Sequence, residues 1–193
     1  MNIIIEENAL PLETCQSVVK LCEKYRQTFS QSGQQIEQFK EKTLSNKLLH
    51  FTQPEPWSSY AKALNYARFL GQKKIIEHYK EWCVPDNTEL TRWERGDSMT
   101  LHCDNAWQLD APDDIKSTLH PTHYRTYSAI FYLSECNGGN FYFKDFDLKV
   151  EPKPGLMLCF PAGIEYTHGV EKIYAGKRYT IAVWYTNQLG YAE

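Results

Sequence analysis

His102 and Asp104 are separated by a single residue in the sequence His102-Cys103-Asp104. Residues i and i+2 of a β-strand point to the same face, so one strand would present an imidazole and a carboxylate to a single point. Imidazole nitrogen and carboxylate oxygen are ligands for divalent transition metals. The pattern therefore indicates a metal site, although about 0.25 such matches are expected by chance in a chain of this composition.

His168 is the candidate for a third ligand, and it comes from a later segment of the chain. Two histidines and one carboxylate on one face of an ion leave other positions open, which is the arrangement of non-haem Fe(II) oxygenases. The remaining histidines are more typical of surface or core residues than of ligands: His50, His78, His120 and His123.

The segment Arg178–Tyr185 alternates like a strand and presents an unusual face. A buried arginine needs an anionic partner, and a dicarboxylate would supply one through a two-point guanidinium–carboxylate pair. An internal ion pair with Asp or Glu explains the arginine equally well. Alternation places Lys177 on the opposite face. The unusual face consists of Arg178, Thr180, Ala182 and Trp184.

A second predicted strand, 125–134, presents Thr126, Ser128, Ile130 and Tyr132 on one face. The phenol of Tyr132 is a candidate donor to the same anion. An ordinary role as a core aromatic residue is an equally good interpretation.

The elements that would position these residues divide the chain in two. In the first 90 or so residues the sequence pattern predicts two helices, one after Pro11 and one from Trp57 to Trp82. Gly71 is a candidate for a bend or split in the second helix. The sequence also predicts a short strand at Asn2–Ile5, a polar loop at Ser30–Gln38 and a turn at residues 84–87.

From Thr88 onward, short β-prone runs alternate with turns. The turns include Asn137-Gly138-Gly139, read as a hairpin, and Pro152–Gly155. This pattern of short strands and turns predicts a mainly β jelly roll with N-terminal helices covering one sheet. We expect one domain spanning 1–193, with a helical support at 1–87 and a jelly-roll core at 88–186. Strands are expected near 88–93, 98–104, 125–134, 139–143, 147–150, 156–160, 164–168 and 178–186.

Composition excludes several classes of protein. The net charge is −3 with no Lys/Arg run, which argues against a nucleic-acid partner. No apolar stretch reaches the roughly 18–20 residues of a membrane span. Six cysteines lack any CxxC pair, and no signal peptide is recognised, so we expect free thiols and a cytoplasmic location.

Taken together, these segments resemble the prolyl-hydroxylase-like 2-oxoglutarate/Fe(II)-dependent dioxygenases. The match is to their order and spacing, strong over 88–186. The segments are Trp93-Glu94-Arg95-Gly96 leading to His102-Cys103-Asp104, then Ser128–Ser134 leading to Gly138-Gly139, then Pro154–Pro161, and finally His168-Gly169 leading to Gly176-Lys177-Arg178-Tyr179.

The resemblance implies a cupin-like double-stranded β-helix with Fe(II) held by His102, Asp104 and His168. It implies a catalytic role for Arg178, which would bind the distal carboxylate of 2-oxoglutarate with Tyr132. Beside this pair, Trp93 and Thr180 are expected to border the cosubstrate, and Trp93 departs from the family's usual tyrosine. Ascorbate is a candidate additional cofactor. Asp104 favours hydroxylation, since similar halogenases lack this carboxylate.

The resemblance also implies a substrate. The expected reaction is hydroxylation of proline in a peptide or protein, with release of succinate and CO2. Hydroxylation of a free amino acid or small metabolite, and ligand binding without turnover, are the alternatives. Arg125 and Trp184 match positions that approach peptide substrates, although alternation places Arg125 off the Tyr132 face. The polar loop 105–123 is a candidate lid. The sequence does not indicate an oligomeric state.

Overall fold

The computed structural model describes residues 2–25, 42–45, 55–107 and 111–192. The predicted loop Ser30–Gln38 lies outside them. The helices are α1 (Leu12–Lys24), α2 (Trp57–Tyr79) and α3 (Asp113–Lys116). The strands are β1 (Ile4–Glu6), β2 (Lys42–Ser45), β3 (Val84–Trp93), β4 (Met99–His102), β5 (Arg125–Tyr132), β6 (Cys136–Gly138), β7 (Phe141–Phe143), β8 (Lys149–Val150), β9 (Met157–Pro161), β10 (His168–Val170), β11 (Ile173–Gly176) and β12 (Arg178–Thr186).

The larger sheet has six antiparallel strands in the order β1-β9-β5-β12-β3-β2. Its outer face is covered by α1 and α2, which fill a core with the outward-facing residues of β5 and β12. This core includes Leu64, Ile75, Phe131, Ile181 and Tyr185, all of them buried. The N-terminal helices therefore cover one sheet face, as the sequence predicts.

The inner face of the larger sheet packs against a second sheet, ordered β4-β10-β7-β8. A second core lies between them, because its buried residues come from both sheets: Tyr132, Leu158 and Phe160 from the larger, Phe141 and Val170 from the smaller. Two antiparallel sheets packed in this way form a jelly roll. The predicted double-stranded β-helix with N-terminal helices is confirmed.

Gly71 does not break α2, which is continuous through it. A Cβ atom at Gly71 would lie 2.1 Å from the Tyr185 hydroxyl oxygen. The glycine therefore allows the helix to approach β12 closely, and the predicted split at this position is wrong.

Two predicted boundaries also differ from the structure. The expected turn at residues 84–87 is part of β3, which contains an irregularity at Asp86. The expected strand 164–168 is a short 3-10 helix at Ile164–Tyr166, after which β10 begins at His168. At 84–87 the pairing with β12 overrides local turn propensity. At 164–166 the chain instead forms local hydrogen bonds, from the Tyr166 N–H to the Gly163 carbonyl and from the Thr167 N–H to the Ile164 carbonyl.

The predicted hairpin at Gly138-Gly139 is wrong as well. β6 pairs with β11, whereas β7 pairs with β10 and β8. Both glycines have positive φ values, 76° and 68°, so they redirect the chain from one sheet to another. β11, which the sequence did not predict, is the strand that leads into β12.

Candidate active site

The proposed metal ligands come together at one end of the smaller sheet. His102 ends β4 and faces His168 of β10 in the strand register, with ring centroids 4.3 Å apart. Asp104 lies beyond β4, so the expectation that one strand carries both His102 and Asp104 is wrong. The loop is held instead by hydrogen bonds from the Asp104 backbone N–H to the Ala162 carbonyl (3.3 Å) and from the Thr122 hydroxyl to the Asp104 carbonyl (2.6 Å).

The three side chains offer ligand atoms that all lie within 4.8 Å of one another. Nε2 of each histidine is 3.9 Å from a carboxylate oxygen of Asp104. Nδ1 of His102 lies 3.0 Å from the Thr100 carbonyl oxygen, and Nδ1 of His168 lies 2.9 Å from that of Tyr166. A carbonyl oxygen accepts a hydrogen bond from Nδ1–H, and this tautomer leaves the Nε2 lone pair available for a metal ion. Within the described part of the chain this is the one cluster of its kind.

The protonation states of the buried members also suit a metal ion. Burial lowers the pKa of His168 well below its ordinary value, so the imidazole is neutral at neutral pH. Burial acts to raise the pKa of Asp104, but His168, His102 and a hydrogen bond from Ser128 outweigh it and hold the pKa below its usual range. The Ser128 hydroxyl donates to Asp104 Oδ2 at 2.6 Å. An ionised carboxylate and a neutral imidazole are the forms that bind metals.

A second cluster lies around Arg178, which is only 2% exposed. Its guanidinium carbon is 5.0 Å from the Trp93 ring centroid and 5.1 Å from that of Tyr132. Among the described residues, no acidic side chain forms an ion pair with it. Three buried donors have no hydrogen-bond partner here: Arg178 Nε, Tyr132 Oη and Trp93 Nε1. The described residues therefore do not support the alternative, in which Arg178 forms an internal ion pair.

These orphaned donors fit a carboxylate ligand. Burial raises the pKa of Tyr132, so its phenol remains a hydrogen-bond donor although the charge of Arg178 acts in the opposite direction. Thr180 is buried beside Tyr132 in the strand register. Lys177 faces away and forms an ion pair with Glu23, Nζ to Oε2 2.6 Å, which confirms the predicted alternation of β12. The cluster thus suits the distal carboxylate of a keto diacid bound at the metal.

Arg125 lies on a different face from the one that alternation predicts. In the pairing of β5 with β12, Tyr127 is opposite Tyr185 and Arg125 is opposite Thr186, so Thr126 is an extra, bulged residue. A bulge shifts the alternation by one residue. Arg125 therefore shares a face with Trp184, and its guanidinium carbon lies 4.3 Å from the Trp184 ring.

A second bulge brings a carboxylate to Arg125. Asp86 is the extra residue of β3 opposite β12, and its Oδ2 accepts a hydrogen bond from Arg125 Nε at 2.9 Å. Asp86 is buried and was not identified from the sequence, because it lies in the segment that was read as a turn. The pair lies near the proposed metal site, because Asn105, the residue after Asp104, donates its side-chain N–H to the Arg125 carbonyl oxygen at 2.9 Å. Burial is the main cause of the lowered pKa of His120, and the positive charge of Arg125 adds to it.

A cavity of about 360 Å³ opens next to His102. Its walls come mainly from the segment after Asp104, and the rings of Trp107 and His120 meet there edge to face at 4.5 Å. The described parts of the predicted lid, 105–107 and 111–123, contain the one-turn helix α3. This part of the chain therefore forms the border of the metal site, and its motion stays a prediction.

Comparison with known proteins agrees with this site. The model of the 2OG-Fe(II) oxygenase superfamily matches residues 88–186. Human prolyl 3-hydroxylase 1 is 37% identical over 105 residues, and the mouse protein is 44% identical over 106. Each of these matches covers 51% of this chain but 14% of the relative, so the chain spans about one seventh of the curated relatives' length.

Solved structures show the same fold. A viral collagen prolyl hydroxylase from Paramecium Bursaria Chlorella virus-1 matches with a TM-score of 0.67, 12% identity and 96% coverage of both chains. A prolyl hydroxylase from Trichoplax adhaerens, solved with a hypoxia inducible factor peptide fragment, matches with a TM-score of 0.68, 18% identity and coverage of 96% of this chain and 84% of that one. The family match covers more than half of the chain, and the chain belongs to the 2OG-Fe(II) oxygenase superfamily of enzymes, which use Fe(II) and 2-oxoglutarate.

Proposed function

We propose that this protein hydroxylates prolyl side chains in a peptide or protein, consuming 2-oxoglutarate and O2 and releasing succinate and CO2. The curated relatives support proline as the substrate, since they are prolyl 3-hydroxylases that are 35–44% identical over about half of this chain. Because the chain spans only 14% of those proteins, their substrate is carried over as a proposal.

The observation that carries the reaction class is the combination of two clusters in one jelly roll. We assign His102, Asp104 and His168 as the Fe(II) ligands. Bound Fe(II) and 2-oxoglutarate would supply the oxidising chemistry, and the protein supplies orientation and a dry pocket. In this assignment Arg178 fixes the distal carboxylate of 2-oxoglutarate.

Three neighbours complete the cosubstrate site in this assignment. Tyr132 and Trp93 would donate their orphaned O–H and N–H groups to the same carboxylate. Thr180 would border the cosubstrate on the same face of the larger sheet.

The peptide would bind beside Arg125 and Trp184. One face of the Arg125 guanidinium is covered by the Trp184 ring, and its Nε is used by Asp86. Its terminal N–H groups remain as donors, with the charge balanced by a buried carboxylate. A neutralised donor suits an uncharged acceptor such as a peptide carbonyl oxygen. Trp184 offers an apolar surface for the proline ring.

The direct test supplies Fe(II), 2-oxoglutarate and O2 with proline-containing peptides or with free amino acids. Succinate release, together with the mass gain of one oxygen atom on a peptidyl proline, is the expected result. His168→Ala is the inactive control. Oxidation of free amino acids in place of every peptide would show the metabolite alternative. Binding of 2-oxoglutarate without turnover of any substrate would show a ligand-binding protein.

Some predictions from the sequence concern properties outside the active site. All six cysteines are free thiols, as predicted. Among the described residues, no helix is long and apolar enough to cross a bilayer. A cytoplasmic location, the single-domain boundaries, the use of ascorbate and the lack of a nucleic-acid partner stay predictions.

A further inference from the structure

Arg178 stands where the regular pairing of β12 with β5 has ended. The last pair in that register is Thr180 with Tyr132, which is the final residue of β5, and one further backbone bond follows, from the Leu133 N–H to the Tyr179 carbonyl oxygen at 2.9 Å. Beyond that bond, the Tyr179 N–H and the Lys177 carbonyl on this side have no strand backbone opposite them in the register. A side chain that must point at a ligand needs its backbone held by other contacts.

Ser134 supplies the missing contacts on the backbone. Its hydroxyl donates to the Lys177 carbonyl at 2.8 Å and accepts the Tyr179 N–H at 2.8 Å. Lys177 and Tyr179 are the residues immediately before and after Arg178. One hydroxyl thus extends the pairing beyond the Leu133–Tyr179 bond and holds the backbone on both sides of the arginine.

Glu23 of α1 holds the same two residues by their side chains. Its carboxylate accepts hydrogen bonds from Lys177 Nζ at 2.6 and 2.8 Å, and from the Tyr179 hydroxyl. Burial raises the pKa of Tyr179, so its hydroxyl stays protonated and remains a donor. Both side chains point to the outer face, as alternation requires when Arg178 points inward.

We propose that Glu23 and Ser134 are positioning residues that aim Arg178 at the distal carboxylate of 2-oxoglutarate. Fixing the neighbours of Arg178 on the outer face restricts the rotation of the strand and therefore the direction of the guanidinium. A two-point guanidinium–carboxylate pair depends on that direction more than a simple charge pair does. This inference rests on the proposed role of Arg178 as the cosubstrate-binding residue.

The test compares 2-oxoglutarate binding, measured by anaerobic calorimetry on the Fe(II)-loaded protein, with KM and kcat for 2-oxoglutarate. Glu23→Gln and Ser134→Ala are each expected to raise Kd and KM roughly tenfold, the scale of losing a supporting partner. kcat and Fe(II) affinity should stay within about twofold, because neither residue touches the metal ligands. Tyr179→Phe should give a smaller loss in the same direction while it retains ring packing.

Glu6→Gln is the matched control. Glu6 of β1 forms an ion pair with Lys74 of α2 at 2.8 Å, and the two side chains are 35% and 28% exposed. The Glu23–Lys177 pair is similarly exposed, at 36% for each side chain. Both pairs join the larger sheet to a helix, but only one lies beside Arg178. Glu6→Gln should leave 2-oxoglutarate affinity unchanged.

Each other outcome overturns the proposal at a defined point. Unchanged 2-oxoglutarate affinity in Glu23→Gln and Ser134→Ala, with weaker binding in Arg178→Lys, rejects the positioning role and leaves the proposed function intact. Unchanged affinity in Arg178→Lys rejects the role of Arg178 itself. A parallel fall in kcat, Fe(II) affinity and melting temperature shows a purely structural role. If Glu23→Gln does not fold, unchanged affinity in Tyr179→Phe rejects the Glu23 part.

Discussion

Arg178 and Arg125 both face the interior of the jelly roll, near opposite ends of β12, but they differ in their partners. Arg178 lies among aromatic rings with no acidic partner in the described residues, and its Nε is unsatisfied. Arg125 stacks on Trp184 and bonds to the buried carboxylate of Asp86. One guanidinium is left with its charge unbalanced and the other is neutralised by the protein.

This difference shows what each arginine is suited to bind. A buried charge without a partner costs several kcal/mol, roughly, so its retention indicates an anionic ligand that supplies the missing charge. A guanidinium already paired with a carboxylate gains little from a second anion but keeps directional donors for uncharged acceptors. Arg178 is therefore suited to the cosubstrate dicarboxylate, and Arg125 to the backbone of a peptide.

The largest expected effect follows from removing the unbalanced charge. Arg178→Ala should lower kcat/KM for 2-oxoglutarate by a factor that corresponds to about 2–5 kcal/mol. This is the scale of breaking a buried, hydrogen-bonded charge pair. Arg178→Lys should raise KM less, because it keeps the charge and loses only the planar two-point donor. Steady-state kinetics with varied 2-oxoglutarate measures both. Fe(II) binding should survive, and its loss would show that Arg178 supports the metal site instead.

The second effect concerns the neutralised arginine. Arg125→Ala should raise KM for a proline peptide roughly tenfold, which is the scale of losing a central arginine from an interface. KM for 2-oxoglutarate should stay unchanged. Initial rates with each substrate varied in turn separate the two constants. Arg95→Ala removes an exposed arginine and is the control. A rise in KM for 2-oxoglutarate in Arg125→Ala would mean that the two arginines share one ligand.

The two arginines also show how far the sequence predicts the site. Arg178 pairs with Trp93 in a part of β12 and β3 that has no register shift, so strict alternation gave its face, and it also placed Lys177 outside. Arg125 adjoins a bulge at Thr126, and a bulge adds one residue to the count, so the same rule gave the wrong face. Nothing in the local sequence marks that bulge, because it arises from pairing with β12.

The proposed metal ligands follow the same principle. The residue types and spacing of His102 and Asp104 predicted that they converge, and the structure brings them together with His168. The predicted reason was wrong, since Asp104 lies beyond the end of β4 and is placed by contacts to Ala162 and Thr122. Chemistry was therefore easier to predict than the backbone that positions it, because long-range contacts fix the loop.

A third, smaller effect would make Arg125 resemble Arg178. Asp86→Asn removes the neutralising carboxylate and keeps a hydrogen-bond acceptor for Arg125. The ratio of kcat/KM for a peptide with an acidic residue next to proline to kcat/KM for a neutral peptide should then rise a few-fold. This is roughly the value of a partly exposed charge pair. Competition between paired peptides, read by mass spectrometry, measures the ratio. Asp113→Asn, which affects an exposed pair with Lys116, should not change it. An unchanged ratio in Asp86→Asn would show that Asp86 serves only to hold the strands.

An effect of about the same size as that of Asp86→Asn is expected at Thr180, which shares the inward face of the larger sheet with both arginines. Thr180→Val keeps the shape of the side chain and removes the hydroxyl. KM for 2-oxoglutarate should therefore rise by a factor that corresponds to about 0.5–1.5 kcal/mol, the net value of one hydrogen bond. The control is Thr88→Val: Thr88 is equally buried and lies opposite Val183 on the helix-facing side, and its hydroxyl has no partner. It should leave KM unchanged. If Thr180→Val raises KM as much as Arg178→Ala does, the hydroxyl contributes to cosubstrate binding as much as the guanidinium. If it has no more effect than Thr88→Val, Thr180 does not belong to the cosubstrate site.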